Sequence, residues 1–257
     1  MIAIESVSKH YGESSVVAGV SLTLAPGGVT GIIGPNGAGK STLLSLVARL
    51  LPMSAGRISV DGLDVTTTPG DVLARRLSIL RQDHHLGSRL TVRDLVAFGR
   101  YPHSKGRVTQ TDRIHIDSAL AYLGLDELGH RFLDELSGGQ RQRAFVAMLI
   151  AQDTDAVLLD EPLNNLDMVH AAAMMKLVRR LADDLGRTVV VVLHDVNFAA
   201  CYCDHIVAMR DGRVLREGPP SQIVTKEALL AIYGLSIEVR DIDIPGLGMR
   251  RICLPYA

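Results

Sequence analysis

The chain has 257 residues, which at about 150 residues per domain fits one large domain or two small ones. Its 27 Lys and Arg against 28 Asp and Glu leave a net charge of −1, which argues against a protein whose main task is to neutralise a nucleic-acid backbone; with 4% aromatics and no Trp it also lacks rings for stacking on single strands. A hydrophobic fraction of 47% against 21% charged residues supports a sizeable core and excludes wholesale disorder.

From the amino end, Glu5 precedes any apolar run, so no secretory signal is expected. Strands are predicted at Ile2–Val7, Val20–Leu24 and Val29–Ile33. The last of these runs into Gly34-Pro35-Asn36-Gly37-Ala38-Gly39-Lys40-Ser41, which matches G-x-x-x-x-G-K-[ST] and is followed by an apolar-periodic helix over Thr42–Leu51. Gly37 and Gly39 let backbone N–H groups turn toward phosphate oxygens, and the helix presents its positive end. Lys40 can reach the β- and γ-phosphates of a nucleotide, and the Ser41 hydroxyl is placed to ligate Mg²⁺. Strand–cradle–helix is the context that makes this motif specific for a bound triphosphate.

Further strands are predicted at Arg57–Val60 and Leu77–Leu80, with Asp61-Gly62 marking a hairpin turn. From about Leu90 to Gln152 the pattern becomes helical, with helices over Val92–Phe98, Thr111–Leu123 and Gly138–Ile150. The segment Leu136-Ser137-Gly138-Gly139-Gln140 opens the last of them. Ser137 suits a helix N-cap, which is its plain reading, and the two glycines leave donors open to an anion. If both helix N-termini serve one nucleotide they must face each other across an interface, and a head-to-tail dimer holding two ATP molecules satisfies this symmetrically.

The run Ala156–Leu159 then ends in Asp160-Glu161, an apolar strand closing on two acids. Ligands gather at the carboxyl ends of parallel strands. Asp160 would hold Mg²⁺, and Glu161 would polarise the attacking water as general base. The strand Thr188–Leu193 precedes His194, which by itself reads as a satisfied core or capping histidine. After Ile206–Met209 a second hairpin signal, Asp211-Gly212, appears, and the tail from Ile237 has room for a strand or two. Apolar runs without alternation, such as Val189–Leu193, mark strands buried on both faces, and none approaches the ~20 residues of a membrane span. Cys201, Cys203 and Cys253 form no disulfide framework and read as packed thiols in a reducing compartment. His84-His85 reads as a solvated loop.

The chain therefore reads as α/β: a P-loop core with a parallel sheet, a small antiparallel β portion and an inserted helical portion. The expected division is a nucleotide-binding core over 1–86 and 153–236, a helical subdomain over 87–152 and a short extension over 237–257.

Along essentially its whole length the sequence resembles the nucleotide-binding subunits of ABC transporters. The resemblance rests on Gly34–Ser41, a lone Gln82 after Leu77–Leu80, Leu136–Gln140, Leu159-Asp160-Glu161, Asn165-Leu166-Asp167 and His194, in that order. It implies that Gln82 contacts Mg²⁺ and the attacking water, that Asp167 sits in a loop crossing between protomers, that His194 bonds the γ-phosphate, and that Tyr11 stacks on adenine. It extends the nucleotide contacts over Gly34 to Ser41 and on to Thr42, and gives Ser137, Gly138, Gly139 and Gln140 to the ATP of the partner protomer. Leu163-Asn164-Asn165-Leu166-Asp167 departs from the commoner Ser-Ala-Leu-Asp version. Val96 to Arg107 and Glu161 to Met168 resemble the ferric-siderophore uptake branch, with catecholate or petrobactin-type cargo, a branch shared with haem and vitamin B12 importers. That resemblance implies ATP and Mg²⁺ as cofactors, a homodimer of ATPase subunits, two membrane permease subunits, an extracytoplasmic siderophore-binding protein, a place on the cytoplasmic face of the membrane, and no nucleic-acid partner. DNA-repair relatives with similar motifs carry a long coiled coil where this chain has 136 − 82 = 54 positions between Gln82 and Leu136. Translation factors of this type usually carry two cassettes, and a metabolic P-loop kinase would not explain Leu136–Gln140.

Overall fold

The computed structural model describes residues 1–81, 89–246 and 248–254. Its strands in chain order are β1 (Ile2–Tyr11), β2 (Ser14–Leu24), β3 (Val29–Ile33), β4 (Ala55–Val60), β5 (Leu63–Asp64), β6 (Leu77–Leu80), β7 (Ala156–Asp160), β8 (Thr188–Val192), β9 (His205–Arg210), β10 (Arg213–Gly218), β11 (Glu238–Ile244) and β12 (Gly248–Leu254). The helices are α1 (Lys40–Val47), α2 (Gly70–Leu73), α3 (Val92–Phe98), α4 (Tyr101–Ser104), α5 (Gln110–Tyr122), α6 (Gly138–Gln152), α7 (Met168–Asp183), α8 (Val196–Tyr202), α9 (Pro220–Ile223) and α10 (Lys226–Tyr233).

The main sheet has the order β10-β9-β3-β8-β7-β6, parallel throughout except for the edge hairpin β9–β10. Every residue of β3, β7 and β8 is buried, as their unbroken β-branched and apolar runs require. Alternate side chains of these strands feed two cores. Val157, Leu159, Val189 and Val191 face a core shared with α3, α5, α6 and α7. Leu158, Val190 and Val192 face the other, which includes Leu43 and Leu44 of α1 and the inward residues of an antiparallel sheet ordered β2-β1-β4-β5. The helices between β6 and β7 thus pack on one face of the main sheet and the antiparallel sheet covers the other. β11 and β12 form a separate hairpin.

Local chemistry sets the element ends. The helices α3, α5 and α6 each open with a capping box, Thr91 with Asp94, Thr109 with Asp112, and Ser137 with Gln140. Both hairpin signals are tight turns with two successive positive φ angles, 49° and 79° at Asp61-Gly62, 50° and 74° at Asp211-Gly212. The second joins an antiparallel edge onto the parallel sheet.

The boundaries that differ most from the sequence reading are those of the first helix and the first two strands. The first helix runs over Lys40–Val47 instead of Thr42–Leu51: Arg49 takes a left-handed φ of 55°, so the apolar periodicity of Leu50 and Leu51 continues without helix. The first strand extends to Tyr11 past a bulge at Ser6, where φ is 49° and the register with β2 shifts. The three cysteines are free thiols, Cys203 and Cys253 buried and Cys201 partly so; Cys201 lies on α8 and Cys203 is its C-cap residue.

Candidate nucleotide site

Because β3, β8 and β7 are neighbours in parallel register, the segments leaving their carboxyl ends converge. Gly34–Ser41 follows β3, His194 follows β8, and Asp160 ends β7 with Glu161 beside it. Between them lies a cleft of about 470 Å³ lined by residues 36–42, Val16, Glu161, Asn164 and His194.

The cradle needs glycine at two places for steric reasons. At Gly34 the backbone has φ 145°, and a Cβ would press on the carbonyl oxygen of Met209 in β9. At Gly39 φ is 92° and a Cβ would lie 2.5 Å from the carbonyl oxygen of Val16. Gly39 is also the N-cap of α1, and its lack of a side-chain cap leaves the first helical N–H groups for an anion.

Lys40 is 5% exposed, and its ammonium donates to the carbonyl oxygens of Gly34 at 2.9 Å and Pro35 at 3.0 Å. Burial lowers its pKa, while the nearby carboxylates of Glu161 and Asp160 pull the other way. Asp160, 8% exposed, is shifted upward, first by burial and then against a hydrogen bond from Ser41 that favours its charged form. Its Oδ1 is buried with no hydrogen-bond partner among the described residues. An orphaned carboxylate oxygen beside a serine hydroxyl is the hard-oxygen donor set that Mg²⁺ takes, so these residues fit the ion.

Glu161 sits at a left-handed φ of 51°. One carboxylate oxygen, Oε1, lies 2.7 Å from His194 Nε2, and the other, Oε2, accepts from Asn164 Nδ2 at 2.5 Å. His194 is therefore no core histidine: it faces the cleft and touches the acid.

The remaining candidates lie elsewhere. Tyr11, 51% exposed, ends β1 with the Lys9 ammonium 4.9 Å from its ring centre, and is not among the cleft-lining residues. Nor are Ser137, Gly138, Gly139 and Gln140. Ser137 Oγ accepts from the Gln140 amide at 3.3 Å, while the Ser137 amide donates to Gln140 Oε1 at 3.0 Å. Gly139 lies under the His170 ring, where a Cβ would collide. Asp167 caps α7, accepting from the His170 amide at 2.8 Å and from His170 Nδ1 at 2.7 Å. The backbone bond from His170 is the main cause that lowers its pKa. Gln82, with His84 and His85, lies outside the described residues.

Sequence reasoning gave no role to Val16 or Asn164, which line the cleft, or to Gln142, whose amide donates to the Pro162 carbonyl oxygen at 3.3 Å. The signal for Asn164 was its place three residues after Glu161, the spacing of one turn.

The ABC transporter family matches residues 17–164. The chain is 48% identical over 249 residues to the petrobactin import ATP-binding protein YclP of Bacillus subtilis (strain 168), covering 97% of this chain and 99% of that one. Among solved structures it is similar to a metal-chelate type ABC transporter in an inward-facing conformation, with a TM-score of 0.86 and 25% identity over 100% of this chain and 97% of that one. It is also similar to the dimeric cassette of MJ0796, a bacterial ABC transporter cassette, with a TM-score of 0.75 and 28% identity over 86% and 99%.

Proposed function

The chain belongs to the ABC transporter family as an ATP-hydrolysing subunit, and from that premise we propose that it energises uptake of a ferric siderophore of the petrobactin type through separate membrane permeases. No helix among the described residues is long and apolar enough to cross a membrane. In the proposed system the path for cargo lies in the partner permeases, with this subunit held at the cytoplasmic face. An extracytoplasmic siderophore-binding protein completes the proposed system. The cargo rests on kinship with YclP, since no residue of an ATPase need touch the chelate.

In this reading the core is 1–86 and 153–236, the arm 87–152 and the extension 237–257. Residues Gly34 to Thr42 wrap the triphosphate and Tyr11 meets the adenine. Lys40 leaves the Gly34 and Pro35 carbonyls for the β- and γ-phosphates. Mg²⁺, held by Ser41, Asp160 and Gln82, would neutralise phosphate charge. Glu161 takes the proton of the attacking water, and His194 turns from Glu161 to the γ-phosphate. Ser137, Gly138, Gly139 and Gln140 of one copy cap the nucleotide held by the other, and Asp167 lies where the copies cross. ATP that binds only the closed dimer drives closure, and phosphate release lets the copies part.

The observation that carries this reading is the meeting of Glu161 and His194, 2.7 Å apart, with Lys40 and Ser41 along one cleft. Glu161→Gln tests it: hydrolysis falls by about 10²–10⁴-fold, ATP still binds, and a stable dimer accumulates on size-exclusion with light scattering. Turnover near the wild-type rate overturns the assignment. Cargo is tested by ATP-dependent uptake of labelled ferric siderophore into vesicles carrying the partner permeases; transport of haem or vitamin B12 in its place would redirect it.

A further inference from the structure

We propose that Asn164 is a positioning residue for Glu161, anchoring carboxylate oxygen Oε2 so that Oε1 is the atom presented to the attacking water; this rests on Glu161 being the general base. Both oxygens are engaged, Oε2 by the Asn164 amide at 2.5 Å and Oε1 by His194 at 2.7 Å. The two contacts differ in kind. His194 comes from the loop after β8, a separate segment. Asn164 comes from the same turn as the acid and is fixed to it by backbone. Its amide N–H donates to the Glu161 carbonyl oxygen at 3.2 Å, and Leu166 donates to Leu163 at 3.2 Å, while Glu161 and Asn165 both take left-handed φ angles of 51° and 61°. Pro162 lies inside this turn and its carbonyl oxygen accepts from Gln142 of α6.

A glutamate carries three side-chain torsions, and a base works only when its oxygen lies within hydrogen-bond reach of the water. When His194 moves to the γ-phosphate it releases Oε1. With Oε2 still held by Asn164, the carboxylate keeps its plane and Oε1 becomes the single open acceptor. Without Asn164 the carboxylate is free to rotate at the moment it is needed, so the loss falls on the chemical step and spares ATP binding.

The test is steady-state hydrolysis by the full chain, with ATP affinity and melting temperature measured beside it. Asn164→Ala lowers kcat about 10-fold and leaves KM for ATP within about two-fold, the size of one hydrogen bond to a charged group. Asn164→Asp keeps the shape but swaps the donor for a repelling carboxylate, and lowers kcat further, about 100-fold. In a Glu161→Gln background Asn164→Ala changes the residual rate by less than about two-fold, because the amide acts only through the acid. Unchanged kcat in Asn164→Ala, a loss that appears in KM, or the full 10-fold loss repeated in the Glu161→Gln background each overturns the proposal. If Glu161→Gln alone turns over normally, the base assignment fails first; if it collapses while Asn164→Ala is undisturbed, only the positioning role fails.

Discussion

In the helical stretch Arg100 and Asp112 are 4% and 2% exposed and answer one another: Arg100 donates to Asp112 at 2.9 Å and to the Ala151 carbonyl at 2.7 Å, while Asp112 also accepts from the amide and hydroxyl of Thr109 at 2.8 and 2.7 Å. In the cradle Lys40 and Asp160 are buried almost as deeply, yet among the described residues Lys40 bonds only neutral carbonyls and Asp160 keeps an oxygen with no partner. Burial pushes on both carboxyls. At Asp112 it is outweighed by the Thr109 bonds and the Arg100 guanidinium, and the pKa falls below the ordinary range; at Asp160 it prevails and the pKa rises. A buried charge fully satisfied within the chain ties α5 to α6 and closes a structure. One left partly unsatisfied is a place where binding energy from outside is collected, and the fold bears its cost until then.

The largest blow to the cradle side is Gly34→Ala, which sets a Cβ against the Met209 carbonyl at a φ that L-residues avoid. We expect about 4–5 kcal/mol of destabilisation by urea unfolding, with nucleotide binding lost; a variant that binds ATP normally would show the cradle to be more pliable than its geometry. On the other side Arg100→Ala, which leaves Asp112 buried and unpaired, costs about 3–5 kcal/mol. The double variant Arg100→Met with Asp112→Leu recovers most of that. If the double variant is as unstable as the single, the pair is more than a structural tie.

The same pair makes a prediction in pH. A carboxylate whose folded pKa is lowered gives stability present in full above its unfolded value of about 4 and lost as pH falls toward the folded value. The gap in unfolding free energy between wild type and Asp112→Asn is therefore level from about pH 7 to pH 5 and narrows below about pH 4. A gap that widens in acid would contradict the lowered pKa. Asp160 has the opposite sign: its charged form is penalised at neutral pH, so Asp160→Asn raises unfolding free energy by about 0.5–2 kcal/mol while hydrolysis is lost. Equal or lower stability would mean that the orphaned oxygen costs nothing. The smallest effect is in the thiols. Burial pushes Cys203 to about 12 and Cys253 to about 11, while Cys201 is less buried, so iodoacetamide at mildly alkaline pH labels Cys201 first by mass spectrometry.

Legibility in the sequence followed the range of the interaction. The helix Val92–Phe98 carries its own start signal in Thr91 and Asp94, and α6 in Ser137 and Gln140; both beginnings match the reading. The first helix ends before its apolar period does: Leu50 and Leu51 continue the period, and Arg49 ends the helix through its left-handed backbone. β1 and β2 run beyond their expected spans: a left-handed φ at Ser6 in β1 and at Gly19 in β2, with register shifts between the two strands, breaks the alternation on which a strand is recognised.

What the sequence determined by itself was chemistry carried by neighbours in the chain: the glycine spacing that frees N–H groups before Lys40, the apolar run ending in Asp160 and Glu161, and the two Asp-Gly turns. Tertiary structure alone decided which of these meet. The strand order β3-β8-β7 brings segments after positions 33, 159 and 192 to one cleft, placing His194 against Glu161 and leaving Asp160 Oδ1 without a partner among the described residues. Sheet order is fixed by which apolar faces bury together over the whole chain, and no local spacing encodes that sum. For the same reason Asn164 reads as a loop polar residue until the turn folds its amide onto the acid three residues before it.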